Sequence, residues 1–230
     1  MEKHLETFDN ICIPTYVINM PERTDRRQSI IHEFKGRSEF DLHIVEAIKH
    51  DIGGVGLWKS IKGIVRDAEE RGEDDVIIVC EDDHVFTKEY ERDRFLSQVI
   101  LAAQLNTHIL YGGIGGFGCA VMVTDDMFWI DWSWCTQFMV IYKNAFPIIL
   151  NSRFTRKDCA DQFLSKIIPN KLVTFPFISV QKDFGYSDVT KENNIAGNIT
   201  RMFDDTSKRI EKFAKISQEL NSICRKRQSL

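Results

Sequence analysis

Long apolar runs are missing from this chain. No uninterrupted hydrophobic stretch exceeds five residues, whereas a membrane-spanning helix needs about 20, so no span is expected. The opening MEKHLETFDN has no apolar core of the kind a secretory signal carries. The six cysteines, Cys12, Cys80, Cys119, Cys135, Cys159 and Cys224, form no CxxC pair and no zinc-finger spacing. Free, mostly buried thiols in a reducing cytoplasm are therefore expected. Internal repeats and Gly/Ser linkers are absent too. There is no basic excess: the net charge is −4 and the pI about 5.9. That excludes a dedicated basic nucleic-acid-binding domain, although a local cluster can still hold phosphate.

What is present suits one α/β domain. Hydrophobic residues make up 43% of 230, charged residues 28%, and there are 16 Phe. A chain of this size builds a core without disulfide staples. Extended stretches are expected at 15–19 and 42–45, with a helix between them ending near Gly36. Leu57, Ile61, Ile64, Val65 and Ala68 recur with helical spacing, and Gly72 marks the stop. Val76-Ile-Ile-Val-Cys80 is a short, continuous apolar run, the pattern of a strand covered on both faces and hence central in a sheet. Further helices are expected at 95–105 and 158–168, and short strands at 108–111, 119–123 and 138–142. Strand–helix alternation followed by a more mixed half predicts an α/β sandwich with a mostly parallel sheet.

Four stretches carry chemistry. Glu81-Asp82-Asp83 follows the buried strand directly, and ligand sites in open α/β sheets lie at carboxyl ends of strands. Adjacent carboxylates repel, and a hard divalent cation relieves that cost. In extended chain Glu81 and Asp83 share a side while Asp82 faces away. His84 is read as a packing residue. Asn19-Met-Pro-Glu-Arg-Thr-Asp-Arg-Arg27 places Arg23, Arg26 and Arg27 just past the first strand, where guanidinium groups suit anionic oxygens. Thr24 or Asp25 is an alternative reading of that segment, as a helix cap. Gly53-Gly-Val-Gly56-Leu-Trp-Lys-Ser60 offers close backbone approach but no Walker A or GxGxxG pattern. In the last stretch, Gln181, Ser187 and Asp188 flank a glycine-containing loop, downstream of Asp158 and Asp161 at a helix start. Such acids are often caps, yet Asp161 lies inside the apolar helical pattern.

Taken in order, YVINMPERTDRR, GLWKS, VIIVCEDDHVF and the tail FMVIYKNAFPIIL…DCADQFL…ISVQKDFGYSD resemble glycosyltransferase family 25, over roughly residues 13–190. The resemblance implies a GT-A fold. It implies a nucleotide-sugar donor, UDP-linked, with a divalent metal (Mn2+ or Mg2+) on Glu81 and Asp83, and inversion at the sugar's anomeric carbon. It assigns Asn19, Pro21, Arg23, Arg26, Arg27, Gly56, Lys59, Ser60, Asp82, Gln181, Ser187 and Asp188 to the nucleotide sugar, and Asp161, then Asp158, to the catalytic base. The acceptor would be a saccharide or lipid-linked glycan of a cell envelope. Ile61 stands where the family has a His, so any contact from that side chain is absent.

Two other readings stay open: a non-catalytic nucleotide-sugar-binding relative, and another metal-dependent nucleotide enzyme. The expected division is a single domain over 1–205 followed by a basic amphipathic helix over 206–230, with Ile210, Phe213, Ile216, Leu220 and Ile223 along one stripe. That helix would dock on its own domain or a second subunit, or attach to anionic lipid at the inner membrane face.

Overall fold

A computed structural model describes residue 8, residues 10–185 and residues 197–228, with side chains to 220. The chain runs β1 (Ile13–Asn19), α1 (Thr24–Phe34), β2 (Phe40–Glu46), α2 (Gly53–Arg71), β3 (Val76–Glu81), β4 (His84–Phe86) and α3 (Arg92–Gln104). It continues through β5 (Ile109–Tyr111), β6 (Ala120–Thr124), β7 (Met127–Ile130), β8 (Phe138–Tyr142), α4 (Phe146–Asn151), α5 (Ala160–Ile167), β9 (Lys171–Thr174), β10 (Ser179–Gln181) and α6 (Asn198–Gln228).

Eight strands form one sheet in the order β2-β1-β3-β8-β5-β9-β7-β6, and β4 pairs with β10 beside it. Following the pairings, β1, β2, β3, β5, β9 and β6 run one way, while β8 and β7 run the other. The sheet is mixed and mostly parallel in strand direction, as expected. β3 is central, and its side chains alternate between two cores. Ile77 and Val79 pack with α2, α4, α5 and α6; Ile78 and Cys80 pack with α1 and α3. Both faces of the sheet are covered, so an unbroken apolar strand is the stable choice.

The first half is two right-handed crossovers in opposite directions. β1–α1–β2 steps to one side of β1 with α1 on one face; β2–α2–β3 returns to the other side with α2 on the opposite face. The segments after the neighbouring strands β1 and β2 therefore leave toward opposite faces, and a crevice opens at the carboxyl ends of these parallel strands.

α2 ends on Gly72 at φ 72°, whose N–H bonds the Ala68 carbonyl at 3.1 Å. α1 lacks a side-chain cap: Thr24 and Asp25 lie within the helix, and Arg23 occupies the capping position. α6 begins at Asn198, ahead of the expected boundary at 205. Phe203, Ile210 and Ala214 bury it against the domain, while Ile216 and Leu220 are exposed. No helix among the described residues is long and apolar enough to cross a membrane.

The run Gly112-Gly-Ile-Gly-Gly-Phe-Gly118 is a packing device. A Cβ on Gly113 would come within 2.0 Å of the Ser179 carbonyl oxygen, so only glycine lets this loop lie against β10.

Candidate active site

The carboxyl ends of the three parallel strands β1, β2 and β3 open on a cleft of about 310 Å3. Its walls come from the segments that follow those strands: Met20 and Arg23 after β1, Ala47 to Asp51 after β2, and Asp82 and Asp83 after β3. Cys135 and Thr136 before β8, Asp161 on α5 and Gln181 on β10 close the far side. Fold topology therefore brings the acids, the arginines and the late motif to one place.

Arg26 binds the acid turn together. Its Nη1 donates to Asp82 Oδ1 at 3.1 Å and to Asp83 Oδ2 at 3.3 Å, and all three side chains are buried. Asn19, buried behind the turn, donates from Nδ2 to Asp82 Oδ2 at 2.9 Å. Both Asp82 oxygens are thus engaged within the protein, which makes Asp82 a positioning group. Gln181 Nε2 donates to Asp83 Oδ2 at 2.7 Å. Thr136 Oγ1 donates to Glu81 Oε1 at 2.7 Å. Burial pushes the Glu81 carboxyl up to about 8, the neighbouring Asp83 charge adding to the rise and the Thr136 hydroxyl opposing it. Burial also raises Asp83, to about 6, against the pull of Gln181 and Arg26.

Three buried acceptor oxygens around this turn have no partner among the described residues: Asp83 Oδ1, Asn19 Oδ1 and Gln181 Oε1. A buried acceptor without a donor costs free energy. The donor set is oxygen-only and suits a hard cation. No group of three or more His, Cys, Asp or Glu side chains that could hold a metal occurs among the described residues. Glu81 and Asp83 thus form no closed protein cage, and a cation there would need further ligands from outside the chain.

The opposite wall carries Asp161. Its Oδ2 accepts from the Cys135 N–H at 3.2 Å and its Oδ1 from the Gln162 N–H at 2.7 Å. Two backbone donors aim this carboxylate without consuming all its acceptor capacity.

Several expected residues lie elsewhere. Pro21 is exposed in the turn after β1, and Arg27 and Lys59 point to solvent from α1 and α2; none lines the cleft. Turn geometry turns Pro21 away beside Met20 and helical geometry turns Arg27 away beside Arg26, both of which do line it, while Lys59 lies past the last lining residue of α2, Leu57. Ser60 is buried and structural: its Oγ accepts from the Ile48 N–H at 2.8 Å and donates to the Gly56 carbonyl at 3.0 Å. Gly56 does line the cleft, but its lack of a side chain serves the protein's own chain, since a Cβ would meet Ile48 O at 2.4 Å. Asp158 closes a turn ahead of α5, accepting from the Thr155 N–H and Oγ1, each at 2.7 Å. Those bonds hold its carboxyl below the usual range, and it is outside the lining. Ser187 and Asp188 lie outside the described residues. His84 packs among Phe34, Phe86 and Phe138 with Nδ1 2.8 Å from Ser179 Oγ, and burial lowers it to about 3.

Lys49, His50 and Thr136 line the cleft without having been anticipated. The signal for the first two was available: they follow a parallel strand, β2, as Arg23 follows β1. Thr136 had none, because only the pairing of β8 with β3 brings it to Glu81.

No protein-family model matches this chain, and no curated protein matches it. Solved structures do. A197 from STIV superposes with a TM-score of 0.53 at 10% identity, covering 77% of this chain and 87% of that one. A glycosyltransferase involved in the glycosylation of the major capsid of PBCV-1 matches at a TM-score of 0.40 and 12% identity, over 60% of this chain and 63% of that one. Apo UDP-glucose pyrophosphorylase matches at 0.42 and 12%, over 87% and 82%. At such identities the likeness to A197 is one of fold alone, an α/β fold with a large mixed sheet.

Proposed function

We propose that this chain is a nucleotide-sugar transferase of GT-A type, moving a sugar from a nucleoside diphosphate, UDP, to a saccharide acceptor. The motif resemblance to glycosyltransferase family 25 supplies the donor class and the inverting course. The observation that carries the reading is the buried acid turn at the carboxyl end of β3, with arginines beside it and oxygens around Asp83 that are unpartnered among the described residues. Arg23 and Arg26 bring positive charge to the cleft for the diphosphate. Glu81 and Asp83 would hold a divalent cation, whose chemistry is to neutralise charge on the departing diphosphate. Asp161, aimed from the opposite wall, would take the proton from the acceptor hydroxyl as it attacks. Asp82 and Asn19 keep the acid turn in place.

Calorimetric titration of UDP in Mn2+ tests this. The full chain should bind saturably, and Asp83→Asn should weaken binding at least about tenfold with the fold retained by circular dichroism. Equal affinity in the variant would remove the acid turn from the site.

A further inference from the structure

A second concavity adjoins the cleft. It is a groove of about 440 Å3 between the loop after β7 and the outer face of α5. Trp132 and Trp134 line it, with ring centroids 5.1 Å apart and planes tilted by 51°. Trp134 is 42% exposed, an unusual position for the largest apolar side chain. Gln162 and Lys166, one helical turn apart and exposed, form the facing polar edge, and Asp131 closes one end.

The indoles are held rigidly. Asp131 Oδ1 accepts the N–H groups of Gly118, Cys119 and Trp132 at 2.8–2.9 Å, which fixes the loop at the first indole. Ser133 N–H donates to Ser165 Oγ at 2.8 Å, tying the loop to α5. Gly116 leaves room for both rings: a Cβ there would meet Trp134 at 2.9 Å and Trp132 at 3.3 Å.

The groove and the cleft share a wall. Trp134 faces the groove and Cys135 lines the cleft; Gln162 faces the groove and Asp161 lines the cleft. The chain makes that switch at Cys135 through φ 74°, a left-handed conformation that non-glycine residues avoid. The Cys135 N–H bond to Asp161 stitches the wall. Strain of this kind persists where the surrounding structure enforces it, and it concentrates at functional sites.

We infer that this groove is a saccharide-binding site, serving the acceptor of the transfer reaction, and in that role it rests on the function proposed above. A pyranose ring presents a face of C–H bonds and an edge of hydroxyls. The C–H face stacks on an exposed, pre-ordered indole without the ordering cost of a flexible side chain. The hydroxyl edge requires donors and acceptors, which Gln162, Lys166 and Asp131 provide. An apolar ligand would leave that edge unmatched. A saccharide seated on the indoles lies against the wall whose other side carries Asp161.

The test uses the full chain and a panel of methyl β-D-galactopyranoside, methyl β-D-glucopyranoside, methyl α-D-mannopyranoside, lactose and cellobiose. Saturation-transfer NMR and tryptophan fluorescence read binding up to about 10 mM, and UDP binding is titrated on the same preparations. At least one saccharide should bind. Trp134→Ala should weaken it at least about tenfold, and a Gln162→Ala/Lys166→Ala pair, changed on an exposed helix face, should weaken it several-fold. UDP affinity should stay constant in both variants. If no panel member binds, or both variants bind like the parent, the groove is not a saccharide site. UDP binding without saccharide binding overturns this inference alone. Saccharide binding through Trp134 without UDP binding overturns the transferase reading and leaves the groove standing.

Discussion

Lys171 on β9 and Arg26 on α1 are both almost fully buried, at 2% and 4% exposure, and their surroundings differ. Lys171 Nζ donates to the carbonyls of Ser165 at 3.0 Å and Ile168 at 2.7 Å, at the carboxyl end of α5. That is where a helix presents free carbonyls and favours a cation. Burial lowers its pKa, but the charge closes off α5 and serves no cleft. Arg26 instead sits among carboxylates, beside acceptor oxygens that remain without donors among the described residues. A buried charge matched to carbonyls is architecture. A buried cluster with acceptors to spare, opening on a cleft, is prepared for something outside the chain.

Replacing Arg26 should have the largest effect. Arg26→Ala leaves Asp82 and Asp83 buried without the guanidinium that pairs with both, and loss of one member of a buried pair costs about 3–5 kcal/mol. Urea denaturation measures this, and adding Asp82→Asn and Asp83→Asn should recover much of the loss. A loss below about 1 kcal/mol would mean the cluster is open to solvent, and the contrast with Lys171 would collapse.

Lys171→Met removes the other charge. It should cost about 1–3 kcal/mol, the penalty for stranding the two carbonyls, and leave UDP binding unchanged. A variant that folds but no longer binds UDP would place Lys171 on the functional side of the comparison.

The smallest effect is in pH dependence. Burial pushes the Glu81 carboxyl up from its ordinary value of 4.5 to about 8, so the folded chain keeps a proton that the unfolded chain releases. Stability should fall as pH rises from about 4.5 to about 8 and level off above. With solvent screening allowed for, Glu81→Gln should gain on the order of 1 kcal/mol over the parent at pH 9 and nothing at pH 4. Thermal denaturation at the two pH values checks it. A parent whose stability rises through that interval would show that Glu81 is not held in its protonated form.

The acid turn, Arg23 and Arg26, Gly56, Asp161 and Gln181 were legible because each sits beside a strand end or helix start that the hydrophobic pattern marks. Arg27 turns from the cleft because one step along a helix from Arg26 rotates a side chain by about 100°, and Lys59 lies beyond the lining stretch of α2, which ends at Leu57; motif spacing does not record which residue faces inward. Asp158 and Asp161 are only three residues apart, yet one closes a turn and the other lines the cleft.

The sequence alone determined the central strand, through five consecutive apolar residues at Val76–Cys80, and the long helix α2, through its periodic face and its Gly72 stop. Those elements need only local chemistry and a buried face to be recognised. The short strands β4, β7 and β9, of three or four residues, hold too little pattern to stand out and exist because partners complete their hydrogen bonds. Only the tertiary structure decided that Arg26 forks onto Asp82 and Asp83, that Thr136 reaches Glu81, and that Trp134 and Cys135 face different sites. Each of these joins or separates groups by strand pairing and backbone rotation, which residue order leaves open until the sheet is assembled.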